Sequence, residues 1–307
     1  MVEILMATYN GEKYIREQLD SIMKQSYQDF RVLIRDDGSS DRTVDIVREY
    51  ESLCQGKIKL IFDNNQCGSS VSNFFQLIKY AEADYIMFSD QDDYWLSEKV
   101  KITFNRMQEI EKRVGTERPI LVFADYKAVD SELKDLNFKA KNNQVSACKT
   151  DFCHLLVQNY VTGCLTMLNK SLYRKLGTYC QSILMHDWWA ALYASAVGEI
   201  SHIEETVMLY RQHGDNCVGV VDVRSINYIK NKILNNNTKN SKYKYWEQAK
   251  CFYDRYNLEL NQKCWGDLNT FLEIETTKLK LRRVYRLIKG RYLKSDFIRS
   301  IGQLWYI

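Results

Sequence analysis

Three aspartates fall within four positions in the stretch Ser89-Asp90-Gln91-Asp92-Asp93-Tyr94-Trp95. The apolar run Tyr85-Ile86-Met87-Phe88 precedes them and predicts a buried strand. The carboxylates therefore stand at a strand's carboxyl end, where open α/β sheets bind their ligands. If the backbone continues extended, Asp90 and Asp92 project to one side, because side chains alternate along a strand. Two hard oxygen donors on one side suit Mg2+ or Mn2+, with water and a substrate phosphate completing the shell. For an acid cluster taken alone, a solvated turn is the competing account.

Four other stretches hold groups able to do chemistry. Asp37 follows the strand-like run Phe30–Ile34 and can accept a hydrogen bond from the N3–H of uracil or thymine. Asp187, in Met185-His186-Asp187-Trp188-Trp189, opens a helical run. It is either an N-cap or a general base projecting into a cleft walled by Trp188 and Trp189. Gly163 and Cys164 begin an apolar run, where small residues let a ligand approach the backbone closely. His213 lies in the turn Gln212-His213-Gly214-Asp215-Asn216, where a histidine alone is more often a turn residue than a ligand.

The elements needed to position these groups are legible as an alternation. Apolar runs at Val2–Ala7, Phe30–Ile34, Ile58–Phe62, Tyr85–Phe88 and Ile120–Ala124 predict strands, and segments with helical apolar spacing lie between them. Thr162–Leu168 and a run beginning at Val207 predict further strands. Ser40 or Asp41 is expected to cap one helix and Ser97 another. The expectation is an α/β fold with a mostly parallel sheet flanked by helices over residues 1–222, and a helical extension over residues 223–307. Helices are expected at Phe152–Gln158, Tyr245–Asn257 and Leu268–Ile288. Residues Ser131–Val161 are polar and include Lys139, Lys141 and Lys149, and predict mostly surface loops. Asn235–Asn237 mark a polar break.

Composition narrows the classes. The chain has 307 residues, 45% hydrophobic and 27% charged, with a net charge of +4, which is ordinary for a soluble globular protein. Nine scattered cysteines, none in a CxxC, read as reduced thiols in a cytosolic protein rather than a metal finger. Cys164 and Cys217 lie near candidate site residues, but neither has a paired base that would make it a catalytic thiol. The first residues lack a basic n-region, and no run of about 18 apolar residues occurs, so neither a signal peptide nor a membrane span is expected. No G-x-G-x-x-G or G-x-x-x-x-G-K-[ST] is present, so a glycine-rich phosphate cradle is excluded.

The final stretch sets Lys278, Lys280, Arg282, Arg283, Arg286, Lys289, Arg291, Lys294 and Arg299, against only Asp296, among Leu279, Leu281, Val284, Tyr285, Leu287, Ile288, Tyr292, Leu293, Phe297, Ile301, Leu304, Trp305 and Tyr306. Such a basic, aromatic, amphipathic segment suits a membrane surface, or a helix packed on the core with a solvated basic face. No nucleic-acid module accompanies the charge, so no nucleic-acid partner is expected.

Several of these stretches together resemble the family 2 glycosyltransferases of GT-A fold, in particular their bacterial rhamnosyltransferase-like branch. They are Met6-Ala7-Thr8-Tyr9-Asn10, Ser21–Tyr27, Asp36-Asp37-Gly38-Ser39-Ser40-Asp41, and Asn65-Gln66-Cys67-Gly68 through Asn73-Phe74. Asp90-Gln91-Asp92-Asp93, His186-Asp187-Trp188-Trp189 and Gln212–Asn216 complete the set, and the likeness runs from about Met1 to Val220. Many relatives carry Glu before the base, where this chain has His186. The resemblance implies inverting transfer from a nucleotide-diphosphate sugar. Ala7, Tyr9, Asp37 and Asp90 would contact the nucleotide, with Tyr9 stacking on the base. Asp92, Asp90 and His213 would serve Mg2+ or Mn2+, and Asp187 would be the base. Gly163, Cys164, His186, Trp188 and Trp189 would line the acceptor or sugar pocket. The branch favours dTDP-L-rhamnose, with UDP-glucose or UDP-galactose as rival donors. The implied acceptor is a cell-surface polysaccharide or lipid-linked glycan at the cytoplasmic face of the membrane. A catalytically silent nucleotide- or glycan-binding assembly module is the rival of another class. A nucleotidyltransferase would want a basic glycine-rich loop after the first strand, which Ala7–Gly11 does not supply.

Overall fold

The computed structural model describes residues 1–63, 65–136, 149–214, 238–294 and 297–306. The expected boundary at 222/223 lies outside the described residues, as do Lys139, Lys141, Asp215, Asn216, Cys217 and Asn235–Asn237.

The predicted alternation is present. Strand β1 (Val2–Thr8) leads to helix α1 (Ile15–Met23), β2 (Phe30–Asp36) to α2 (Thr43–Leu53), and β3 (Ile58–Ile61) to α3 (Ser70–Tyr80). Strands β4 (Tyr85–Ser89) and β5 (Tyr94–Trp95), α4 (Lys99–Val114) and β6 (Ile120–Val129) follow. After them come α5 (Phe152–Leu155), β7 (Thr166–Asn169), α6 (Lys170–Tyr173), α7 (His186–Val197) and β8 (Glu199–Arg211). Helices α8 (Thr238–Tyr256), α9 (Gln262–Thr276), α10 (Lys280–Lys289) and α11 (Phe297–Tyr306) close the chain.

One eight-stranded sheet has the order β3-β2-β1-β4-β7-β6-β8-β5. The half built from β3, β2, β1 and β4 is parallel. Strand β7 runs antiparallel to both β4 and β6, β8 is parallel to β6, and β5 is antiparallel to β8. The sheet is therefore mixed, with its parallel character concentrated in the first half.

Strand alternation divides the core between the two faces. Leu5, Leu33, Ile86, Phe88, Leu121 and Phe123 meet α3, α7, α8 and α9 on one side. Ile4, Met6, Val32, Ile34, Met87 and Val122 meet α1, α2 and α4 on the other. Helices α8 and α9 are part of the first core, since Trp189 packs edge-on against Phe252 and Trp246 stacks on Phe271.

Several local expectations change. Gly163–Leu165 forms a 3-10 turn, so the strand begins only at Thr166. The turn is held by the Thr166 hydroxyl donating to the Gly163 carbonyl. The expected Leu268–Ile288 helix is two helices, broken at Thr277–Leu279, where Thr277 and Leu279 are extended. Arg42 and Glu98 occupy the N-cap positions of α2 and α4. Asp41 still accepts from the Thr43 amide at 3.0 Å, which is the work expected of a cap.

Candidate active site

The site lies beyond the carboxyl ends of β1, β2 and β4, the place expected for an α/β sheet. Two glycines beside the site are closely approached by glutamine side chains. A Cβ on Gly38 would sit 2.2 Å from Gln66 Nε2, and its φ of +90° already favours glycine. A Cβ on Gly11 would sit 2.3 Å from Gln91 Oε1. That Gln91 amide clips the first turn to the aspartate loop. It accepts from the Tyr9 amide and donates to the Tyr9 carbonyl, each at 2.9 Å. Tyr9 itself is exposed, while Ala7 is half-buried.

Asp37 is nearly buried and ties down the 65–68 loop. Its Oδ1 accepts from the Cys67 amide (2.6 Å) and from Arg35 (3.2 Å), and its Oδ2 from the Gly68 amide (2.8 Å). A carboxylate oxygen has two lone-pair sites, so Oδ2 retains one after accepting from Gly68. Arg35 is fully buried and also holds Asp63 and Asn73.

The aspartate stretch departs from the alternation expected of a strand. Residues 91 and 92 form a bend between β4 and β5, and the Asp92 charge still acts on Asp90. Asp90 groups with Asp93 and the Cys164 thiol, with ligand atoms all within 4.8 Å of one another. Asp92 turns to His213, with Oδ2 and Nε2 2.8 Å apart. The His213 ring lies on Tyr14, and Arg211 donates to the Asp92 carbonyl at 2.8 Å. Arg211 also pairs with Glu17, so α1 and β8 together fix the bend.

Burial dominates the electrostatics. Asp90 is pushed up to about 7 by loss of solvent and then by the Asp92 charge. Burial pushes Asp93 well above its usual range, with Asp90 and Asp92 adding to the effect. Neither Asp93 oxygen has a hydrogen-bond partner among the described residues. Lys99 is the buried cation beneath this group. Burial lowers it to about 7, its Nζ donates to the Cys164 carbonyl at 2.5 Å, and it lies 3.5 Å over the Trp95 ring. Cys164 is buried and its thiol is raised well above the usual value, so it is protonated and no nucleophile.

Asp187 sits in the first turn of α7, two residues past the N-cap, which is Met185. Its Oδ1 accepts from Asn159 (3.1 Å) and the Trp188 amide (2.6 Å), and its Oδ2 from the Gly163 amide (2.8 Å). Burial raises it to about 6 against these stabilising bonds, which places it in the range useful to a general base. Its charge also acts on Asp90, so Asp187 and the aspartate bend share one site.

His186 is buried between Phe74 and Phe88 and is held neutral, with its pKa lowered to about 3 by burial. Neither ring nitrogen has a hydrogen-bond partner among the described residues. A Cβ on Gly163 would meet His186 Nε2 at 2.7 Å, so this turn requires glycine. Trp189 is not a cleft wall. It is fully buried in the core, donating to the Leu176 carbonyl, because α7 turns that position toward α8. Trp188 is half-buried and donates to the Leu155 carbonyl at 2.6 Å.

The arrangement suits a hard divalent cation. Asp93 offers two buried oxygens with no hydrogen-bond partner among the described residues, and a cation beside them would favour the ionised form of the crowded aspartates. Asp92 Oδ2 and His213 Nε2 stand 2.8 Å apart as a hydrogen-bonded pair beside this group. Gln91, Asp93, Lys99, Asn159 and Arg211 were not assigned roles from sequence. Asp93 was visible as the third carboxylate, whereas the others carry no local signal.

The mixed sheet flanked by helices has the GT-A architecture of its structural neighbours. Residues 3–176 match the model for glycosyl transferase family 2, and the chain belongs to that family. It is 32% identical over 230 residues to the dTDP-rhamnosyl transferase RfbG of Shigella flexneri, covering 70% of this chain and 73% of that protein. An uncharacterized glycosyltransferase of Rickettsia typhi (strain ATCC VR-144 / Wilmington) is 26% identical over 203 residues, covering 64% and 60%. Among solved structures, S. aureus TarS 1-349 superposes with a TM-score of 0.59 at 17% identity, over 99% of this chain and 77% of that one. The mannosyltransferase PcManGT from Pyrobaculum calidifontis, in complex with GDP-Man and Mn2+, gives 0.54 at 12% identity over 99% and 87%. The TarS chain also has a complex with UDP-GlcNAc, at a TM-score of 0.57, 16% identity, and coverage of 95% and 88%.

Proposed function

We propose that the protein is an inverting, cation-dependent glycosyltransferase whose donor is dTDP-L-rhamnose. The observation that carries the reading is the pairing of a buried, raised Asp187 with the cation-demanding bend at Asp90–Asp93. The likeness to a dTDP-rhamnosyl transferase supports the choice of sugar. Tyr9 stacks on the base and Asp37 Oδ2 accepts its N3–H, a contact common to thymine and uracil.

Asp92, Asp90 and His213 would hold Mg2+ or Mn2+, with Asp93 close behind. When bound, the cation supplies Lewis-acid neutralisation of the leaving diphosphate. Asp187 removes the proton of the acceptor hydroxyl as that oxygen attacks the anomeric carbon from the face opposite the leaving group. The C–O bond to the acceptor forms as the bond to the diphosphate breaks, and one base suffices. The Gly163 amide and Asn159 keep the carboxylate aimed, and the neutral His186 beside it adds no competing charge. The acceptor is a polysaccharide or glycan on a lipid carrier, and the enzyme works peripherally at the inner face of the cell membrane.

The test is binding and hydrolysis across a panel of nucleotide sugars, with and without Mn2+ or Mg2+, on the protein and on Asp92→Asn. Cation-dependent preference for dTDP-L-rhamnose, lost in the variant, is the expected result. Preference for a UDP-hexose would keep the mechanism and replace the sugar. No nucleotide sugar bound under any condition would overturn the reading in favour of a silent assembly module.

A further inference from the structure

Helix α10 is apolar on two sides. Leu287 is fully buried, and Tyr292 just beyond the helix packs on Phe271, so one side belongs to the core. Leu281, Tyr285 and Ile288, spaced i, i+4 and i+7, lie on another side and are 85%, 61% and 53% exposed. Leu279 beside them is 68% exposed, and Trp305 of α11 is 74% exposed. Lys280 joins the two helices, donating to the Trp305 carbonyl at 2.7 Å.

Single exposed apolar residues are ordinary, but a stripe of them carrying a Tyr and a Trp marks an interaction surface. Residues 278–291 hold seven Lys or Arg and no Asp or Glu. Arg286 is committed to Glu273 of α9, while Arg282, Lys289 and Arg291 are exposed. Charge complementarity therefore selects an anionic occupant. The mixture of aromatic rings, aliphatic side chains and long basic stems is that of a helix lying in a lipid headgroup layer.

We infer that the exposed face of α10, continued by Trp305, docks on an anionic membrane surface, with Leu281, Tyr285 and Ile288 entering the headgroup layer. The inference rests on the peripheral placement proposed above and names the surface responsible. It does not involve the donor cleft, so the two readings fail separately.

The experiment is co-sedimentation of the full chain with phosphatidylcholine vesicles and with vesicles containing 30% phosphatidylglycerol, at about 0.1 M and 0.5 M salt. The wild type is expected to bind the anionic vesicles, at least tenfold less at the higher salt because the charges are screened, and to bind phosphatidylcholine weakly. Leu281→Glu/Tyr285→Glu/Ile288→Glu is expected to lose at least tenfold in binding while keeping the wild-type melting temperature and donor hydrolysis. Arg282→Ala/Lys289→Ala should weaken binding and flatten its salt dependence. No binding, or equal binding to both vesicle types, overturns the inference. A concentration-dependent dimer that the triple variant abolishes, without vesicle binding, overturns it in favour of a second copy of the chain. Vesicle binding without turnover of any nucleotide sugar would overturn the transferase reading and leave this inference standing.

Discussion

Asp187, the base proposed above, is buried, and burial lifts it to about 6. The sign of the pH effect follows directly. The proton must be absent for catalysis, so at saturating cation kcat/KM should fall tenfold per pH unit below about 6 and level off above it. His186 stays neutral well below that range and adds no second limb. Asp187→Asn should lose roughly 10²–10⁴ in kcat with donor affinity retained, read from transfer kinetics beside nucleotide binding. Gly163→Ala should fail differently. The added methyl would meet His186 Nε2 at 2.7 Å, so the turn must shift and Asp187 loses its amide donor. Both a lower melting temperature and a lower kcat are expected there, checked by thermal unfolding and rate on one preparation.

Among the elements, the loops after β1, β2 and β4 are joined by side chains rather than by sheet. Gln91 bonds both backbone groups of Tyr9, so it sets the distance between the base platform and the aspartate bend. Gln91→Leu should lower stability by about 1–2 kcal/mol, two modest hydrogen bonds, and raise the donor KM more than it lowers kcat. Denaturant unfolding and donor titration separate the two effects. Arg35 is the corresponding anchor under β2, fully buried among Asp37, Asp63 and Asn73. Removing it strands buried carboxylates, so Arg35→Met should destabilise by about 3–5 kcal/mol. A melting curve that did not move would show that the carboxylates rearrange to water.

Across the molecule, the helical extension and the sheet domain share a core. Trp189 of α7 packs against Phe252 and Tyr256 of α8, and Tyr245, Trp246 and Phe271 belong to the same apolar cluster as Leu5 and Phe88. A chain ending at residue 222 should therefore expose a wide apolar face under α7 and bind a hydrophobic dye or aggregate on expression. A soluble, monomeric, cooperatively folding truncation would show that residues 1–222 stand alone. No described helix is long and apolar enough to cross a membrane.

The strand–helix alternation and most strand positions were legible because each depends on apolar periodicity over a few neighbours. The chemistry-bearing stretches at Asp37, Asp90–Asp92, Asp187 and His213 were legible for a similar reason, since acids at strand and helix ends are local patterns. The partners of those acids were not. Asp90 was expected to side with Asp92, yet the bend turns it to Asp93 and Cys164 and gives Asp92 to His213, which lies 121 residues away. Trp189 looked like a cleft wall until α8 covered it. Lys99 is one lysine among many in the sequence, and only the closing of α4 over Trp95 and Cys164 buries its charge. Periodicity is written into neighbouring residues, whereas burial and charge pairing arise from segments that meet only when the chain folds. The tertiary structure therefore decided which carboxylates are buried and which groups stand beside them.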